Sequence, residues 1–332
     1  MRTGRTHHLL TVKYVPRTDT MRKVIGIGET ILDIIFKNEQ PTAAVPGGSV
    51  FNGIISLGRL GTNVTMITET GNDRVGQTIK NFMTDNGVNT DHVCMYQDGR
   101  TAISLAYLND RNDAEYTFYK DYPKARLDVR WPDIQADDIV IMGSYFVLNP
   151  VLRTKVKDFL TYARSRQAFI YYDINFRSTH ADEAQSLRPT ILENFDYADI
   201  VRGSTEDFEN MFHLSDPLLT YRQEVSAHCP NLLCTDAGGD IRLFTPALSK
   251  SYEVKKIKTV STIGAGDNFN AGIVFGILQA NIHRADLPTL SESQWHTIIQ
   301  HGISLATEVC QSFHNSISKE FAQQYKQDKK KN

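Results

Sequence analysis

The chain has 332 residues, of which 41% are hydrophobic and 22% are charged, a composition typical of a globular protein. Its formal net charge of −2 argues against a strong field that would recruit nucleic acid or an anionic membrane. The four cysteines have no partner histidines at zinc-finger spacing, and no apolar stretch has the length of a signal peptide or a membrane span. We therefore expect a cytoplasmic protein that acts on small molecules, without a nucleic-acid or membrane partner.

Residues 1–20 are basic, and we expect them to form an N-terminal extension without fixed structure. After them, short apolar runs alternate with helical patterns, which predicts a doubly wound, mostly parallel α/β sheet flanked by helices. The predicted buried strands are Val24–Gly28, Val64–Thr68, Ile139–Gly143, Phe169–Ile174, Ile200–Arg202, Leu232–Thr235 and Ile241–Thr245. The clearest predicted helices are Val50–Leu60, Leu152–Arg166, Gly266–Ala280 and Ser291–Cys310. Gly61 follows the first helix, where a left-handed C-cap is typical.

Residues 101–123 interrupt this alternation. They contain two stretches with period-two patterning, joined by a polar turn at Asn109–Asp113, which predicts an inserted β-hairpin. An inserted hairpin of this kind can act as a lid over a binding site. We therefore expect one main α/β domain that carries a small β lid.

The stretch TIGAGDNFNAG, residues 262–272, sets one acid among glycines at the start of a predicted helix. Glycine tolerates positive φ and lets the backbone approach a ligand, so Gly264 and Gly266 can direct N–H groups at a common point. A helix N-terminus of this kind binds anions, and Asp267 beside a phosphate can accept the proton of an attacking hydroxyl. The alternative is that Asp267 only caps the helix, a common position for Asp.

This stretch resembles the C-terminal motif of the ribokinase-type (PfkB) sugar kinases, whose usual form is Asp-Thr-x-Gly-Ala-Gly-Asp. Ser261 stands where the family usually has the first Asp. The resemblance implies that Asp267 is the catalytic base, that the Gly-Ala-Gly amides form an anion hole, and that the threonine lies on the nucleotide side. The matching residues are Thr262, Gly264, Ala265, Gly266 and Asp267.

A second element lies in the N-terminal half. Asp33 follows the first predicted strand at its carboxyl side, where open α/β sheets bind ligands, and PGGSVFNG places Asn52 in the first turn of a helix. Carboxylate and amide groups suit vicinal hydroxyls, although singly Asn52 could be a helix cap and Asp33 a loop acid. These stretches resemble the family's Gly-Gly-x-x-x-Asn element. The resemblance implies sugar binding by Asp33, Gly47, Gly48 and Asn52.

The nucleotide half departs more from the family pattern. The segment YYDINFR resembles the family's Asp-x-Asn-x-Arg stretch near the phosphates, although Arg177 could equally pair with Asp173. VRGSTEDF resembles the Asn-x-x-Glu element that arranges magnesium-bound water, but Gly203 replaces the Asn, and Ala237 stands at a usual glycine of the nucleotide loop. The resemblance, and for Asn315 position alone, implies nucleotide contacts from Asn175, Arg177, Glu206, Thr235, Gly238, Thr262 and Asn315.

The resemblance implies a PfkB domain with a ribokinase-like fold over residues 21–318. Its lid strands are expected around residues 33–45 and 101–122, and residues 319–332 are expected to be a helix end and a basic tail. The implied cofactors are ATP and Mg²⁺, with Glu206 acting on the metal through water, and a monovalent cation is a further candidate. The candidate assembly is a homodimer through the lid.

The favoured activity is ATP-dependent phosphorylation of an unphosphorylated sugar, because residues 49–51 offer no cation for a sugar phosphate. Resemblance to the fructokinase branch puts fructose first, ahead of ribose, 2-keto-3-deoxygluconate and a nucleoside. The main alternative is a catalytically weak sugar sensor on the kinase fold, because Ser261, Gly203 and Ala237 are atypical. A dehydrogenase is disfavoured because GIGETI lacks the third glycine of a dinucleotide motif, and a P-loop NTPase because no Walker lysine is present.

Overall fold

The computed structural model describes residues 22–109, 114–236 and 239–330, which form two sheets and the helices around them. The strands are β1 (Val24–Ile27), β2 (Ile31–Lys37), β3 (Gln40–Gly47), β4 (Val64–Gly71), β5 (Val88–Asn89), β6 (Val93–Tyr96), β7 (Arg100–Leu108), β8 (Ala114–Asp121), β9 (Ile139–Gly143), β10 (Phe169–Asp173), β11 (Ile200–Ser204), β12 (Leu232–Thr235), β13 (Ile241–Phe244) and β14 (Ser249–Tyr252). The α-helices are α1 (Ser49–Arg59), α2 (Arg74–Asp85), α3 (Ser144–Leu148), α4 (Arg153–Ser165), α5 (Ala184–Tyr197), α6 (Thr205–Phe212), α7 (Pro217–Thr220), α8 (Ala265–Gln279), α9 (Glu292–Cys310) and α10 (Lys319–Lys330).

The main sheet has the strand order β14-β13-β12-β11-β10-β9-β1-β4-β5, and β6 pairs with the carboxyl half of β4. β1 is parallel to both of its neighbours, with Val24 opposite Val64 on one side and Ile139 on the other. β9 to β12 continue in parallel, and β13 and β14 form an antiparallel edge. The parallel strands therefore all end at one edge, which is where open α/β sheets bind ligands.

Helices cover both faces of the main sheet, which explains why its central parallel strands are buried along their whole length. In β1, Val24 packs into the core on one face and Ile25 into the core on the other, as the alternation of side chains along a strand requires. The first core includes Phe51 of α1, Phe269 of α8 and Trp295 of α9. The second core includes Phe159 of α4, Phe195 of α5 and Phe208 of α6.

The second, smaller sheet has the strand order β3-β2-β7-β8 and forms the lid. β2 is antiparallel to β3 and parallel to β7, and β7 is antiparallel to β8. The hairpin expected in residues 101–123 therefore supplies half of this sheet, and the hairpin β2–β3 supplies the other half. Most of the predicted turn at Asn109–Asp113 lies outside the described residues.

The four predicted helices correspond to α1, α4, α8 and α9, each within about one residue at either end. Gly61 has a φ of 76°, the left-handed conformation expected after α1. Ser291 caps α9 in a capping box with Gln294, as its Ser-x-x-Gln start predicts. The strands β5, β6 and β14 and the helices α2, α3, α5, α6 and α7 were not predicted as separate elements.

The C-terminal segment differs from the expected helix end and basic tail. Residues 319–330 form the helix α10, whose Ala322 is fully buried in the first core. Tyr325 on the same helix shares a hydrogen bond with His301 of α9 at 2.8 Å. The expected N-terminal extension, residues 1–20, lies outside the described residues. Of the helices that the structure describes, none combines the length and the apolar character needed to cross a membrane.

Substitution of Gly272 tests the packing that holds α8 in place. A Cβ on Gly272 would lie 2.3 Å from the His301 carbonyl oxygen and 2.6 Å from the Cα of Gly302, both backbone atoms of α9. Gly272→Ala should therefore lower the free energy of unfolding by about 1–3 kcal/mol, measured by urea denaturation. Gly276→Ala is the matched control, because its Cβ would meet Ile298 Cα at 3.0 Å and should cost less. Equal or greater stability of Gly272→Ala would contradict this packing.

Candidate active site

The amino-terminal turns of α1 and α8 meet at the carboxyl edge of the main sheet. A Cβ on Gly53 of α1 would lie 2.9 Å from the carbonyl oxygen of Asp267, so the two helices are in backbone contact. Asn52 Nδ2 donates a hydrogen bond to Asp267 Oδ2 at 2.8 Å. Asn52 is buried, and its Oδ1 accepts no hydrogen bond from the described residues. Because buried acceptors are normally satisfied, this oxygen is suited to a ligand hydroxyl.

Asp267 lies in the first turn of α8 but does not cap it. The N-cap residue is Gly264, and the carboxylate of Asp267 accepts its hydrogen bond from Asn52 of the neighbouring helix. Burial raises the pKa of Asp267 to about 7, and the negative charge of Asp173 acts in the same direction. The hydrogen bond from Asn52 and the charges of Arg177 and Arg202 oppose this rise. A carboxylate with this pKa can serve as a general base near neutral pH.

The Gly264–Gly266 turn leads into α8. Gly264 has a φ of 80°, and a Cβ there would lie 2.7 Å from the carbonyl oxygen of Asn315. The N–H of Ala265 donates to the Thr262 carbonyl oxygen at 3.1 Å, which fixes the turn. The N–H groups of Gly264 and Gly266 make no backbone hydrogen bond among the described residues. The turn thus offers unpaired amides beside Asp267, as a helix N-terminus does.

The predicted sugar element lies between the lid and α1. Asp33 of β2 accepts a hydrogen bond from Ser104 Oγ of β7, and burial raises the pKa of Asp33 to about 6. A Cβ on Gly47 would lie 2.5 Å from Asp33 Oδ2, so a glycine is needed there for the carboxylate to fit. Gly48 has a φ of 135°, and a Cβ there would lie 2.2 Å from the Glu29 carbonyl oxygen.

Asn315 lies between the sugar element and the Gly264–Gly266 turn. Its carbonyl oxygen accepts a hydrogen bond from Asn268 Nδ2 of α8 at 2.8 Å and packs against Gly264. Its side-chain Nδ2 would lie 3.5 Å from a Cβ on Gly47. The side chain of Asn315 thus lies beside the predicted sugar-binding residue Gly47, and its predicted nucleotide contact stays a prediction.

The carboxyl ends of β10, β11 and β12 bring three polar side chains together. Arg202 Nη1 donates to Asp173 Oδ1 at 2.9 Å, and Arg202 Nη2 donates to Thr235 Oγ1 at 2.6 Å. Asp173 is thus paired with Arg202, whereas Arg177 is exposed and lowers the pKa of Asp267 by its charge. Asn175 has a φ of 40°, a conformation that is uncommon outside glycine and clusters at functional sites.

The remaining predicted nucleotide contacts are more exposed. Glu206 is an exposed residue in the first turn of α6, whose N-terminus is closed by a capping box between Ser204 and Asp207. Thr262 is exposed and contributes its carbonyl oxygen to the turn before α8. Gly238 lies outside the described residues. Glu206 and Thr262 therefore lie at the open side of the site.

Two residues of the site were missed by sequence reasoning, namely Ser104 and Arg202. Ser104 reaches Asp33 only because the parallel register of β2 and β7 places the two residues opposite each other. Arg202 reaches Asp173 because the register of β10 and β11 does the same. Arg202 was seen as the end of a predicted strand, and a charged residue at the end of an apolar strand was the available signal.

A model of the pfkB family carbohydrate kinases matches residues 21–320 of the chain. The chain belongs to this family. It is therefore a carbohydrate kinase, and the predicted ribokinase-like fold with a small lid sheet is confirmed. The glycines of GIGETI, which would start a helix in a dehydrogenase, lead from β1 into the lid strand β2 instead.

The chain is similar in sequence to curated relatives and similar in fold to solved structures. A protein named probable fructokinase-6, chloroplastic, from Arabidopsis thaliana is 26% identical over 265 residues, which cover 76% of this chain and 69% of the relative. A 5-dehydro-2-deoxygluconokinase 2 from Bacillus cereus is 26% identical over 79% of this chain and 85% of its own. A double-mutant fructokinase from Vibrio cholerae O395, solved with fructose, ADP and a potassium ion, is 19% identical with a TM-score of 0.78, covering 90% of this chain and 95% of its own.

The acidic residues near the ends of the parallel strands can be compared with the ligands that Mg²⁺ uses in phosphate-transfer sites. Within the described ranges, no three His, Cys, Asp or Glu side chains cluster in a way that would hold a metal ion. Mg²⁺ in phosphate-transfer sites is typically held by one or two carboxylates, water and the phosphates themselves. The exposed carboxylate of Glu206, at the same sheet edge as Asp173, is chemically suited to such an indirect role.

Replacement of Asp267 should make stability depend less on pH. Because the pKa of Asp267 rises from an ordinary 3.8 to about 7, the folded chain binds an extra proton between these pH values. The free energy of unfolding should therefore fall as pH rises through this window. Asp267→Asn removes this loss, so urea denaturation should show the variant more stable than wild type at pH 8, with a smaller difference at pH 5. Asp158→Asn, on the exposed side of α4, is the control and should leave the free energy of unfolding unchanged at both pH 8 and pH 5. A pH-independent effect of Asp267→Asn would contradict the burial of its charge.

Proposed function

We propose that the chain transfers the γ-phosphoryl group of ATP to a hydroxyl of an unphosphorylated sugar, with Asp267 as the general base. The observation that carries this proposal is the hydrogen bond between Asn52 and Asp267, which joins the sugar element to the start of α8. One carboxylate thus lies beside both the hydroxyl-binding groups and the free amides of the Gly264–Gly266 turn. This arrangement suits in-line transfer between a sugar and a phosphate.

In this mechanism, Asp33 and Asn52 Oδ1 accept hydrogen bonds from the sugar, and the amide of Asn315 lies within reach of the same space. The carboxylate of Asp267 accepts the proton of the attacking hydroxyl. The sugar oxygen forms a bond to the γ-phosphorus as the bond to the β,γ-bridging oxygen breaks and ADP leaves. The amides of Gly264 and Gly266 and the positive end of α8 stabilise the charge on the transferred group.

The nucleotide is expected to approach from the ends of β10 to β12. The residues proposed to contact the nucleotide on this side are Asn175, Arg177, Thr235, Gly238, Thr262 and Glu206. Mg²⁺ bound with ATP would supply positive charge at the phosphate oxygens, with Glu206 interacting through water. A monovalent cation is a further candidate ligand, since a potassium ion is bound in the fructokinase from Vibrio cholerae O395.

Fructose is the first candidate substrate. Two relatives are named as a probable fructokinase and a 5-dehydro-2-deoxygluconokinase, both of which act on an unphosphorylated sugar or sugar acid by name. Ser49, Val50 and Phe51 at the sugar element carry no cation that would select a sugar phosphate. Ribose, 2-keto-3-deoxygluconate and a nucleoside are the further candidates, in that order.

A sugar panel with Asp267→Asn tests the proposed activity. Wild type with ATP and Mg²⁺ should release ADP with at least one unphosphorylated sugar, and Asp267→Asn should reduce kcat by about 10²–10⁴ while sugar binding by calorimetry persists. The wild-type kcat/KM should fall below about pH 7, because protonated Asp267 cannot accept a proton. Asp158→Asn should behave as wild type.

Two outcomes would contradict this assignment. A loss of less than tenfold in Asp267→Asn would exclude general-base catalysis by this residue. Sugar binding without turnover in wild type would instead favour the sugar sensor, for which Ser261 and Gly203 already depart from the family pattern.

The outer face of the lid supports a homodimer. The side chains of β2 and β7 that lie opposite to the Asp33 face form apolar cross-strand pairs, Leu32 with Ile103, Ile34 with Leu105 and Phe36 with Tyr107. Tyr119 pairs with Ile103 on the same face and is 55% exposed. A second lid covering this face would remove apolar surface from water.

Sedimentation velocity tests the dimer. The sedimentation coefficient of wild type should correspond to a mass of about twice the 37.5 kDa of one chain. Tyr119→Glu should shift the sedimentation-coefficient distribution towards the monomer, because it places a charge in the apolar contact. Val151→Glu, at another exposed apolar position next to α4, should leave the distribution unchanged. A monomeric wild type, or a dimer that tolerates Tyr119→Glu, would contradict the lid interface.

A further inference from the structure

Arg202 is a buried cation that lies beneath the start of α8. It is 8% exposed and stands on β11, opposite Asp173 of β10 and Leu233 of β12. A Cβ on Gly266 would lie 3.0 Å from both Nη1 and Nη2 of Arg202, and 3.3 Å from its Cζ. Because both Nη atoms lie closer to this position than Cζ does, the Nη1–Nη2 side of the guanidinium is turned towards the backbone of Gly266.

The guanidinium is held from two sides. Arg202 Nη1 donates a hydrogen bond to Asp173 Oδ1 at 2.9 Å, and Arg202 Nη2 donates one to Thr235 Oγ1 at 2.6 Å. The guanidinium is therefore attached to the ends of both neighbouring strands. The Phe269 ring of α8 lies 6.0 Å from Cζ on the side of the helix. Arg202 Nε is buried and makes no hydrogen bond to the described residues. A buried donor without a partner is costly, which points to a role beyond packing.

The electrostatics of this position favour a bound anion. The N-terminus of α8 carries a partial positive charge. Although burial lowers the pKa of Arg202, the charges of Asp173 and Asp207 outweigh this cost and raise it, so its guanidinium is a permanent cation beneath that terminus. An anion at the turn is attracted by the helix terminus and by Arg202 together. A phosphoryl group in transfer is such an anion.

We propose that Arg202 is a positioning residue for phosphoryl transfer, which fixes the Gly264–Gly266 turn against the ends of β10 and β12 and adds a positive charge beneath it. This inference rests on the proposed function, because the anion is the transferred phosphoryl group. Arg202 touches no reacting atom and acts through the turn and through Asp267. The charged groups that act on Asp267 are Asp173, Arg177 and Arg202, with Asn52 as its hydrogen-bond donor.

Arg202→Met and Arg202→Lys test this role in the full chain. Arg202→Met should lower kcat about 10- to 100-fold with the KM for sugar changed by less than about threefold, because the turn acts mainly on the transition state. It should also raise the pH at which Asp267 titrates. Arg202→Lys keeps the positive charge but loses the planar guanidinium with its paired N–H donors. The kcat of Arg202→Lys should therefore lie between those of wild type and Arg202→Met, and Asp267 should titrate near the wild-type pH. If Arg202→Met keeps the kcat of wild type and Asp267 titrates at the same pH as in wild type, the proposal is overturned.

The double variant Asp173→Asn with Arg202→Met separates positioning from simple charge neutralisation. It leaves no unpaired buried charge, so it should fold even if Arg202→Met is unstable. A kcat that stays low in the double variant supports the proposal, whereas recovery to the wild-type kcat overturns it. Arg153→Met is the matched control, because it breaks an ion pair between α4 and α5, with Glu193 at 2.5 Å, that includes no residue of the proposed site, and it should leave kcat unchanged.

The titration of Asp267 gives a readout that needs no turnover. The carboxyl carbons of Asp are labelled with ¹³C, and the Asp267 signal is assigned by its loss in Asp267→Asn. An upward shift of its titration in Arg202→Met supports the proposal, and an unchanged titration overturns it. Absence of sugar phosphorylation in wild type would instead count against the proposed function, and the titration would still decide the placement of the charge.

Discussion

The hydrogen bond between Asn52 and Asp267 is the interaction on which the rest of the site depends. It connects α1, which follows the sugar element, to α8, which follows the Gly264–Gly266 turn. The two helices can approach this closely only because Gly53 leaves room for the backbone of α8. Any ligand hydroxyl that donates a hydrogen bond to Asn52 Oδ1 is thereby placed next to the carboxylate of Asp267. The geometry of two separate sequence motifs is thus fixed by one short contact.

The site contains several buried carboxylates, and other groups of the fold have to offset the cost of burying their charges. Burial raises the pKa of Asp33, Asp173 and Asp267 alike, so each carboxylate is costly in its charged form. Each has one dedicated partner from another element, and these are Ser104, Arg202 and Asn52. All three partners donate hydrogen bonds that favour the charged carboxylate, but only Arg202 also brings a positive charge. Stability is therefore given up at the residues that we propose as the base and the sugar-binding acid.

The sequence could predict the elements of this site better than their contacts. Apolar runs, helix periods and the glycines around Asp267 are local signals, and they place the main strands and helices α1, α4, α8 and α9. Ser104 carries no local signal of its role, and the charge of Arg202 at the end of an apolar strand does not tell which residue it pairs with. Both act through a strand register that is set by the whole sheet. The place of Asn315 beside Gly47 and Gly264 depends in the same way on where the chain returns after α9, so it could not be read from the number of this residue in the sequence.

The candidate site is complete only when the two sheets keep a fixed relation, since Asp33 belongs to the lid and Asp267 to the main domain. Contacts at the base of the lid maintain this relation. Tyr122 Oη donates to Glu29 Oε1 at 2.6 Å, and Arg126 stacks over the Tyr122 ring while it pairs with the buried Glu69 of β4. Glu29 lies just before the start of β2, so the strand that carries Asp33 is tied to the main sheet where it begins. Moving the base of the lid would also move Asp33, so under the proposed function the lid would form part of the sugar-binding wall as well as a cover.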